Sequence, residues 1–302
     1  FVLIVDCGSL NAAAGRLRLS RSVVSDRLNA LEADVGTQLI TRSTHGLSLT
    51  RAGEVFLRHA REIATAMEVA RNAVAEAEGS VSGLLRIAVP AALTIRWLAP
   101  VFAQFLRDHP RVTLEVSASD RTIDIVQDGF DMAIRGARHP DSALIARKIT
   151  TGRRIVVCSP AYAEEYGVPR SLADLQNHTC SVYRNRRVTQ DWTFRTSKGV
   201  RYARPAGRVE ADDGSVLVQA AVEGIGVSLL PTFMVADELV SGCLLKVDLG
   251  VEPDIDRISA VYPKSNASLP RLRSFVDHVR AAIGDPPPWD VRLAEAGIIE
   301  LD

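Results

Sequence analysis

One segment of the sequence, residues 51–78, constrains the architecture of this chain more than any other. It has no proline, and its only internal glycine, Gly53, lies near its start, which predicts one long helix capped by Thr50. Apolar residues recur along it at alternating spacings of four and three, as in a coiled-coil seam. The predicted seam residues are Phe56, Ala60, Ile63, Met67, Ala70 and Val74.

This seam needs a partner surface. We expect a second copy of the chain to supply it; the alternative is that the helix packs on its own domain. Residues 79–83, Gly-Ser-Val-Ser-Gly, then end the helix and mark a domain boundary. The sequence therefore predicts an N-terminal domain at residues 1–58, a linker and dimerisation helix at residues 59–82, and a larger C-terminal part.

The N-terminal part contains two predicted short helices joined by a tight turn. The second helix begins at Ser20, a good N-cap, and Val24, Leu28 and Leu31 form one apolar stripe along it. Its opposite face carries short polar side chains, which is typical of a helix that lies in the major groove of DNA. The alternative is an amphipathic helical hairpin without a ligand. The polar face consists of Arg21, Ser22, Ser25, Asp26 and Asn29, beside Arg27.

A β-hairpin is predicted next, because two β-prone runs at residues 36–42 and 47–50 flank a polar turn with a glycine. Such a wing would bring Arg42, His45 and Arg51 within reach of phosphates, although an ordinary exposed hairpin remains the alternative. Residues 1–62 carry eight arginines and six acidic residues, and the whole chain has no net charge. Affinity for DNA would therefore depend on where the arginines lie.

The remainder of the chain alternates strand and helix patterns, which predicts an α/β fold with a parallel sheet covered by helices. Predicted strands cover residues 84–89, 112–116, 132–135, 154–158, 180–183, 207–210, 227–230 and 258–262. Predicted helices cover residues 94–109, 120–128, 160–166, 215–223 and 270–283.

Ligands of such sheets bind beyond the carboxyl ends of the strands, near helix N-termini. Backbone amides after the first strand and the Thr94 hydroxyl could hold a carboxylate, so an anionic or polar organic molecule is expected. For Ser119 and Asp213 local capping is an equal alternative, and Arg135 could instead pair with a nearby acid. The candidate residues are Ala92, Thr94, Ser119, Arg135, Asp213 and Gly226.

Several function classes are disfavoured. The sequence has no GxSxG, HExxH or GxxxxGK motif, its six histidines lack metal-ligand spacing, and its four cysteines are scattered. We therefore expect no enzyme activity, no metal and no cofactor. Without a run of about 18 apolar residues, no membrane association is expected either, and the cytoplasm is the predicted location.

Residues 1–62 resemble the winged helix-turn-helix domain of LysR-type transcriptional regulators, and the similarity extends to about Ile283. The matching motifs are Gly8-Ser9 with Ala12-Ala13-Ala14, Leu19-Ser20 with Val24-Ser25, Leu31-Glu32, the run from Gly36 to Arg42, and Leu49-Thr50-Arg51-Ala52-Gly53. Members of this family normally have several residues before the position of Phe1. The chain is therefore expected to start inside the first helix.

The resemblance implies a linker helix that pairs two DNA-binding domains, followed by two Rossmann-like lobes of the periplasmic-binding-protein type. Lobe I would comprise residues 83–153 and 258–285, and lobe II residues 154–257, with a small-molecule effector between them. Residues 286–302 form a tail without an assigned role.

The predicted function is a sequence-specific DNA-binding transcriptional regulator of LysR type that an effector controls. Its expected partners are double-stranded DNA, the effector, a second copy in a homodimer that assembles into a homotetramer, and RNA polymerase. A small-molecule binding or transport protein of the solute-binding type is the alternative, but it would need neither the helix pair nor the seam.

Overall fold

A computed structural model describes residues 1–43, 46–77, 81–121, 123–136, 144–184 and 191–301. The predicted wing residue His45 and the side chains of Arg42 and Val74 lie outside this description. The chain divides into two units, one formed by Phe1–Gly79 with Val126–Gly129 and the other by Ser80–Ile125 with Phe130–Asp302. Each unit is described in turn.

The first unit begins with three helices that share one small core. Ser9 and Ser20 cap the second and third, because their hydroxyl oxygens accept the amides of Ala12 at 3.1 Å and Val23 at 3.3 Å. The elements are α1 (Val2–Cys7), α2 (Leu10–Leu17), α3 (Arg21–Val35), β1 (Ile40–Ser43), β2 (Gly46–Leu49) and α4 (Arg51–Ala77). The core contains Ile4, Leu10, Ala13, Ala14, Val24, Leu28 and Ile40.

The predicted hairpin and long helix are both present. Strands β1 and β2 pair antiparallel, and the Glu32 carboxylate of α3 accepts the amides of Leu39 at 2.8 Å and Ile40 at 3.0 Å. Thr50 caps α4 by accepting the Gly53 amide at 2.9 Å. Position 53 requires glycine, since a Cβ there would lie 2.0 Å from the Leu39 carbonyl oxygen. The hairpin is therefore packed directly against the start of α4.

The second unit alternates strands and helices. Its strands are β3 (Gly83–Val89), β4 (Val112–Ala118), β5 (Met132–Gly136), β6 (Leu144–Gly152), β7 (Arg154–Cys158), β8 (Cys180–Tyr183), β9 (Trp192–Thr196), β10 (Gly199–Ala203), β11 (Gly207–Ala211), β12 (Val227–Pro231), β13 (Leu245–Lys246), β14 (Glu252–Pro253) and β15 (Asp256–Pro263). Its helices are α5 (Ala91–Leu93), which continues through a π-helical turn (Thr94–Leu98) into α6 (Ala99–Asp108), then α7 (Pro160–Tyr166), α8 (Gly214–Val222), α9 (Thr232–Val240), α10 (Pro270–Ile283) and α11 (Pro288–Glu295). Short 3-10 turns lie at Asp174–Asn177 and Lys264–Asn266.

The strands of this unit form two five-stranded sheets, one in each lobe, and a small three-stranded sheet. The orders are β4-β3-β5-β15-β6, β11-β8-β12-β7-β13 and β10-β9-β14. Strand β3 pairs parallel with β4 and β5, whereas β15 returns antiparallel to β5 and β6. The chain leaves the first sheet at Gly152 and re-enters it at Asp256. The two-lobed α/β fold is confirmed, with mixed sheets in place of a purely parallel one.

One expected helix is missing from the structure. Residues 120–128 were expected to be helical, but their described part contains turns, a bend and irregular backbone, with the Phe130 amide bonded back to the Ile125 carbonyl at 2.9 Å and the Ile125 side chain buried. In addition, the tail folds. Trp289 of α11 is buried, and its ring centroid lies 5.1 Å from Trp97 and 5.9 Å from Phe233.

Candidate functional site

The outer face of α3 presents the polar residues that the sequence predicts for DNA. Val24 and Leu28 are each only 2% exposed, and their burial turns the opposite side of the helix to solvent. Arg21, Ser22, Asp26, Arg27 and Asn29 are exposed, and Ser25 is half-buried. Exposed Val23 lies on this helix too and was not singled out from the sequence. The structure therefore brings these predicted residues together on one helix surface.

Fewer contacts are described for the predicted wing than for α3. Its two strands are tied by a hydroxyl pair, Thr41 Oγ1 and Ser48 Oγ, 2.7 Å apart. Arg51 is exposed at the first position of α4, immediately after the hairpin. One phosphate-contacting candidate is thus placed in solvent beside the wing.

The predicted seam on α4 falls into two parts. Phe56 does not lie on an open seam, because its ring packs edge-on against Phe1 at 5.2 Å within its own unit. Nearby, Arg61 pairs with Asp6 of α1 at 2.8 Å, and Ala60 is half-buried. Further along, Ile63 is 68% exposed, Met67 is 60% exposed and Ala70 is exposed. Among the described seam residues, the exposed ones are therefore Ile63, Met67 and Ala70.

The Asp120 carboxylate is one of the groups that connect the two lobes of the second unit, and the Arg96 guanidinium of lobe I also pairs with Glu238 of lobe II at 2.6 Å. Asp120, which follows β4 in lobe I, accepts the Ala91 amide on Oδ1 at 3.0 Å and the Gly214 amide on Oδ2 at 3.4 Å. Ala91 begins α5 in lobe I, and Gly214 begins α8 in lobe II. Asp120 was not identified from the sequence, although its position directly after a strand is a recognisable signal.

Tyr183, at the end of β8, completes this arrangement. Burial, the negative charge of Asp120 and a hydrogen bond to its carboxylate together raise the pKa of Tyr183 well above its ordinary value. A Cβ at Gly214 would lie 2.4 Å from Met234 Cε and 3.7 Å from the Tyr183 ring. The carboxyl ends of strands from both lobes thus meet closely around Asp120.

The sequence-predicted effector residues have mostly local partners. Thr94 is 8% exposed and donates its hydroxyl to the Pro90 carbonyl at 2.9 Å, and Ala92 is buried. Ser119 accepts the Arg121 amide at 3.2 Å, and Asp213 caps α8 by accepting the Ser215 amide at 2.8 Å. Half-buried Arg135 stands on β5, opposite Ser259 of β15. The capping alternative for Ser119 and Asp213 is therefore what the structure displays.

Gly226 does not belong to this edge of the sheet. Strand β12 runs parallel to β8, and its first residue pairs with Cys180 at the start of β8. A Cβ at Gly226 would lie 2.3 Å from the Thr179 carbonyl oxygen. The glycine permits close approach of two backbones at the end of β8 opposite Tyr183, so its placement at the cleft was wrong.

A second inter-lobe feature is a cavity of about 380 Å³ beside the crossing strands. It is surrounded by ion pairs: Lys148 with Asp285 at 2.6 Å and Arg153 with Asp290 at 3.5 Å. Although burial acts to raise the pKa of Asp285, hydrogen bonds from Lys148 and Thr151 lower it to about 2. These four groups are thus paired with one another, although burial raises the pKa of the Asp290 carboxyl above its ordinary value.

Metal-ligand groups and buried cysteine thiols are the remaining candidates for chemistry among the described residues. No group of three or more His, Cys, Asp or Glu side chains among them could hold a metal ion. Burial raises the pKa of the Cys158 thiol to about 11 and that of Cys180 to about 12, which leaves both protonated and unreactive at neutral pH. Over the same residues, no helix combines the length and apolarity needed to cross a bilayer.

Comparisons with known proteins agree with this geometry. The model of the bacterial regulatory helix-turn-helix protein, lysR family, matches residues 1–54, and the LysR substrate binding domain matches residues 78–284. An HTH-type transcriptional regulator of Xanthomonas campestris is 33% identical, over 92% of this chain and 82% of that protein. PtxR of Pseudomonas aeruginosa is 32% identical, over 98% of this chain and 94% of that protein.

Solved structures of similar proteins match nearly the whole chain. CrgA of Neisseria meningitidis superposes with a TM-score of 0.61 at 28% identity, over 93% of this chain and 96% of that one. AphB of Vibrio cholerae gives 0.59 at 26% identity, over 93% and 96%. The named relatives are transcriptional regulators and not enzymes, and the solute-binding alternative does not account for the helix-turn-helix match. The chain therefore belongs to the family of LysR-type transcriptional regulators.

Proposed function

We propose that this regulator reads its operator with the outer face of α3 and responds to a small organic molecule bound between its two lobes. The observation that carries the DNA-binding part is the burial of Val24 and Leu28, which leaves the polar side of α3 facing solvent. We assign the DNA-binding domain to residues 1–58, the linker helix to 59–82 and the effector-binding domain to 83–285.

Base reading falls to Arg21, Ser22 and Ser25, supported by Asn29 and Asp26 on the same face. An arginine can bond two acceptors of guanine, and a carboxylate can accept from the cytosine amino group. Exposed Val23 adds an apolar surface suited to a thymine methyl group. Arg27, Arg42, His45 and Arg51 are assigned to phosphates, which fix the register of the protein on DNA without reading sequence.

Assembly through α4 would place two such faces on one operator. In the single chain Ile63 and Met67 expose most of their surface, and pairing them with a second copy would remove that apolar area from water. Two recognition helices in a dimer bind half-sites about 34 Å apart, or multiples of that distance. A homotetramer, contact with RNA polymerase and a cytoplasmic location complete the proposal.

The effector is assigned to the inter-lobe cleft near Thr94, Ser119 and Arg135, at the carboxyl ends of lobe I strands. Binding there changes gene expression only if the effector prefers one arrangement of the lobes, because equal affinity for both shifts neither. Support comes from the topology, in which Tyr183 and Gly214 of lobe II close on Asp120 of lobe I.

The test is a gel-shift titration of full-length protein on the DNA upstream of its own gene. Arg21→Ala should weaken binding by about 1–3 kcal/mol and relax sequence preference at one position. Arg27→Ala should weaken binding to all DNA and reduce the salt dependence. Arg201→Ala, which removes an exposed arginine of β10, is the matched control. Wild-type affinity in both Arg21→Ala and Ser25→Ala would contradict the proposed reading face.

A further inference from the structure

Two backbone amides in the cleft that would suit an anionic ligand, those of Ala91 and Gly214, are already engaged by the protein itself. Both oxygens of Asp120 accept a backbone amide, one from each lobe, and Tyr183 bonds to the same carboxylate. A carboxylate from solution would have to replace Asp120 at these donors. It would also face the displaced negative charge at short range in a half-buried cleft, where repulsion is poorly screened.

A ligand that carries hydrogen-bond donors can instead bind to Asp120 without replacing it. Each carboxylate oxygen has two lone pairs, so Asp120 can accept further donors while keeping its amide contacts. The contact with Gly214 is the longer of the two, 3.4 Å against 3.0 Å for Ala91, and is therefore the weaker. A donor bound to Asp120 would compete first with the lobe II amide and so weaken this one contact between the lobes.

We propose that Asp120 determines the chemical class of the effector by occupying the anion position of the cleft. The effector then presents an uncharged or cationic hydrogen-bond donor to Asp120 and carries no carboxylate at that position. This inference rests on the proposed function, since it assumes that the effector binds between the lobes. It revises the expectation of an anionic ligand drawn from the strand ends alone.

The proposal predicts that removal of the side chain creates a site for a free carboxylate. Full-length wild type and Asp120→Ala are compared by thermal unfolding in increasing acetate, with sodium chloride at matched ionic strength and with neutral acetamide. The Tm of Asp120→Ala should rise with acetate concentration until it reaches a plateau, and acetamide should not raise it. Wild type should bind acetate at least tenfold more weakly. Equal acetate responses, or no response of Asp120→Ala beyond that of chloride, would overturn the proposal.

Two further variants keep the test decisive. Asp120→Asn retains the size of the side chain, but one of the two acceptor oxygens becomes an NH2 group, so that its donors face the donors of a backbone amide. The Tm of this variant should fall, and acetate should not restore it. If Asp120→Asn unfolds at the same Tm as wild type, the proposal is overturned. This result is decisive even where Asp120→Ala does not fold. Asp174→Ala removes a carboxylate that accepts the Arg170 amide at 2.9 Å within one loop, and serves as the control for generic loss of an acceptor.

These measurements use neither DNA nor an effector. Failure of the acetate experiment would therefore remove the role of Asp120 and leave the proposed regulation by an effector intact. Failure of the gel-shift experiment would instead remove the proposed reading face and leave the acetate result standing.

Discussion

Truncation of Trp289 should destabilise the second unit strongly. The side chain is 1% exposed, and its ring packs between Trp97 of the π-helical turn and Phe233 of α9. A buried aromatic side chain removes about 150–250 Å² from water, which corresponds to about 4–6 kcal/mol at about 25 cal/mol per Å². Measured truncations of such residues cost about 3–5 kcal/mol, and we expect Trp289→Ala to fall in that range.

A second variant separates packing from polarity. Among the described residues none accepts a hydrogen bond from Trp289 Nε1, although that atom is buried. Trp289→Phe removes this unsatisfied donor together with one ring, so the two effects oppose each other. We expect Trp289→Phe to cost about 1–2 kcal/mol, less than half the cost of Trp289→Ala.

Because the full chain contains two units, a single unfolding transition is not assumed. Hydrogen exchange of peptides from α9 and α10, measured across a urea series, reports the second unit alone. Tyr202→Ala, which truncates an aromatic residue that is 66% exposed, is the control and should change little. A loss below about 1 kcal/mol for Trp289→Ala would show that the tail helix is not part of the packed core.

Two other predictions concern assembly and pH. Ile63→Glu or Met67→Glu should place unpaired charges in the proposed dimer seam and cost several kcal/mol per site, so sedimentation should show a smaller species; an unchanged mass, as expected for the Glu62→Gln control, would rule out this seam. Asp285 has a pKa of about 2, depressed by hydrogen bonds from Lys148 and Thr151 that outweigh burial, so its stabilising effect is present above its ordinary pKa and is lost as the pH falls. The Tm difference between wild type and Asp285→Asn should therefore shrink between about pH 4 and pH 2; a difference independent of pH would contradict this.

The N-terminal unit could be predicted from the sequence because its signals are local. Ser20 caps α3 through an amide three residues away, and Val24 and Leu28 mark the buried face by helical spacing alone. Phe56 fits the same periodic pattern, but its partner Phe1 lies on another helix. Periodicity identifies an apolar stripe and does not say which surface covers it.

The cleft could be predicted only in outline. Strand ends led to the prediction of Ser119 and Asp213, which stays a prediction. Asp120 bonds to amides 29 and 94 residues away, and no rule of sequence spacing connects such distant residues. Gly226 was misplaced because glycine near a strand suggests ligand access and close backbone packing equally well.

Trp289 lies outside the resemblance, and its contacts with Trp97 and Phe233 depend on tertiary structure.

The close approach at Gly53 holds the start of α4 against the DNA-binding domain, so a tilt of the helix moves that domain with it. Thr50 bonds to the Gln38 carbonyl at 2.8 Å, Phe56 packs on Phe1 and Arg61 pairs with Asp6, so the first turns of α4 are held from several sides of one unit. From residue 53 to residue 77 the helix extends about 36 Å, so a tilt of about 5° at one end moves the other by about 3 Å. That displacement is close to the rise of one base pair, about 3.4 Å. In the dimer proposed above, a change of about 5° in the angle between the two α4 helices would move a recognition helix by about one base pair along an operator.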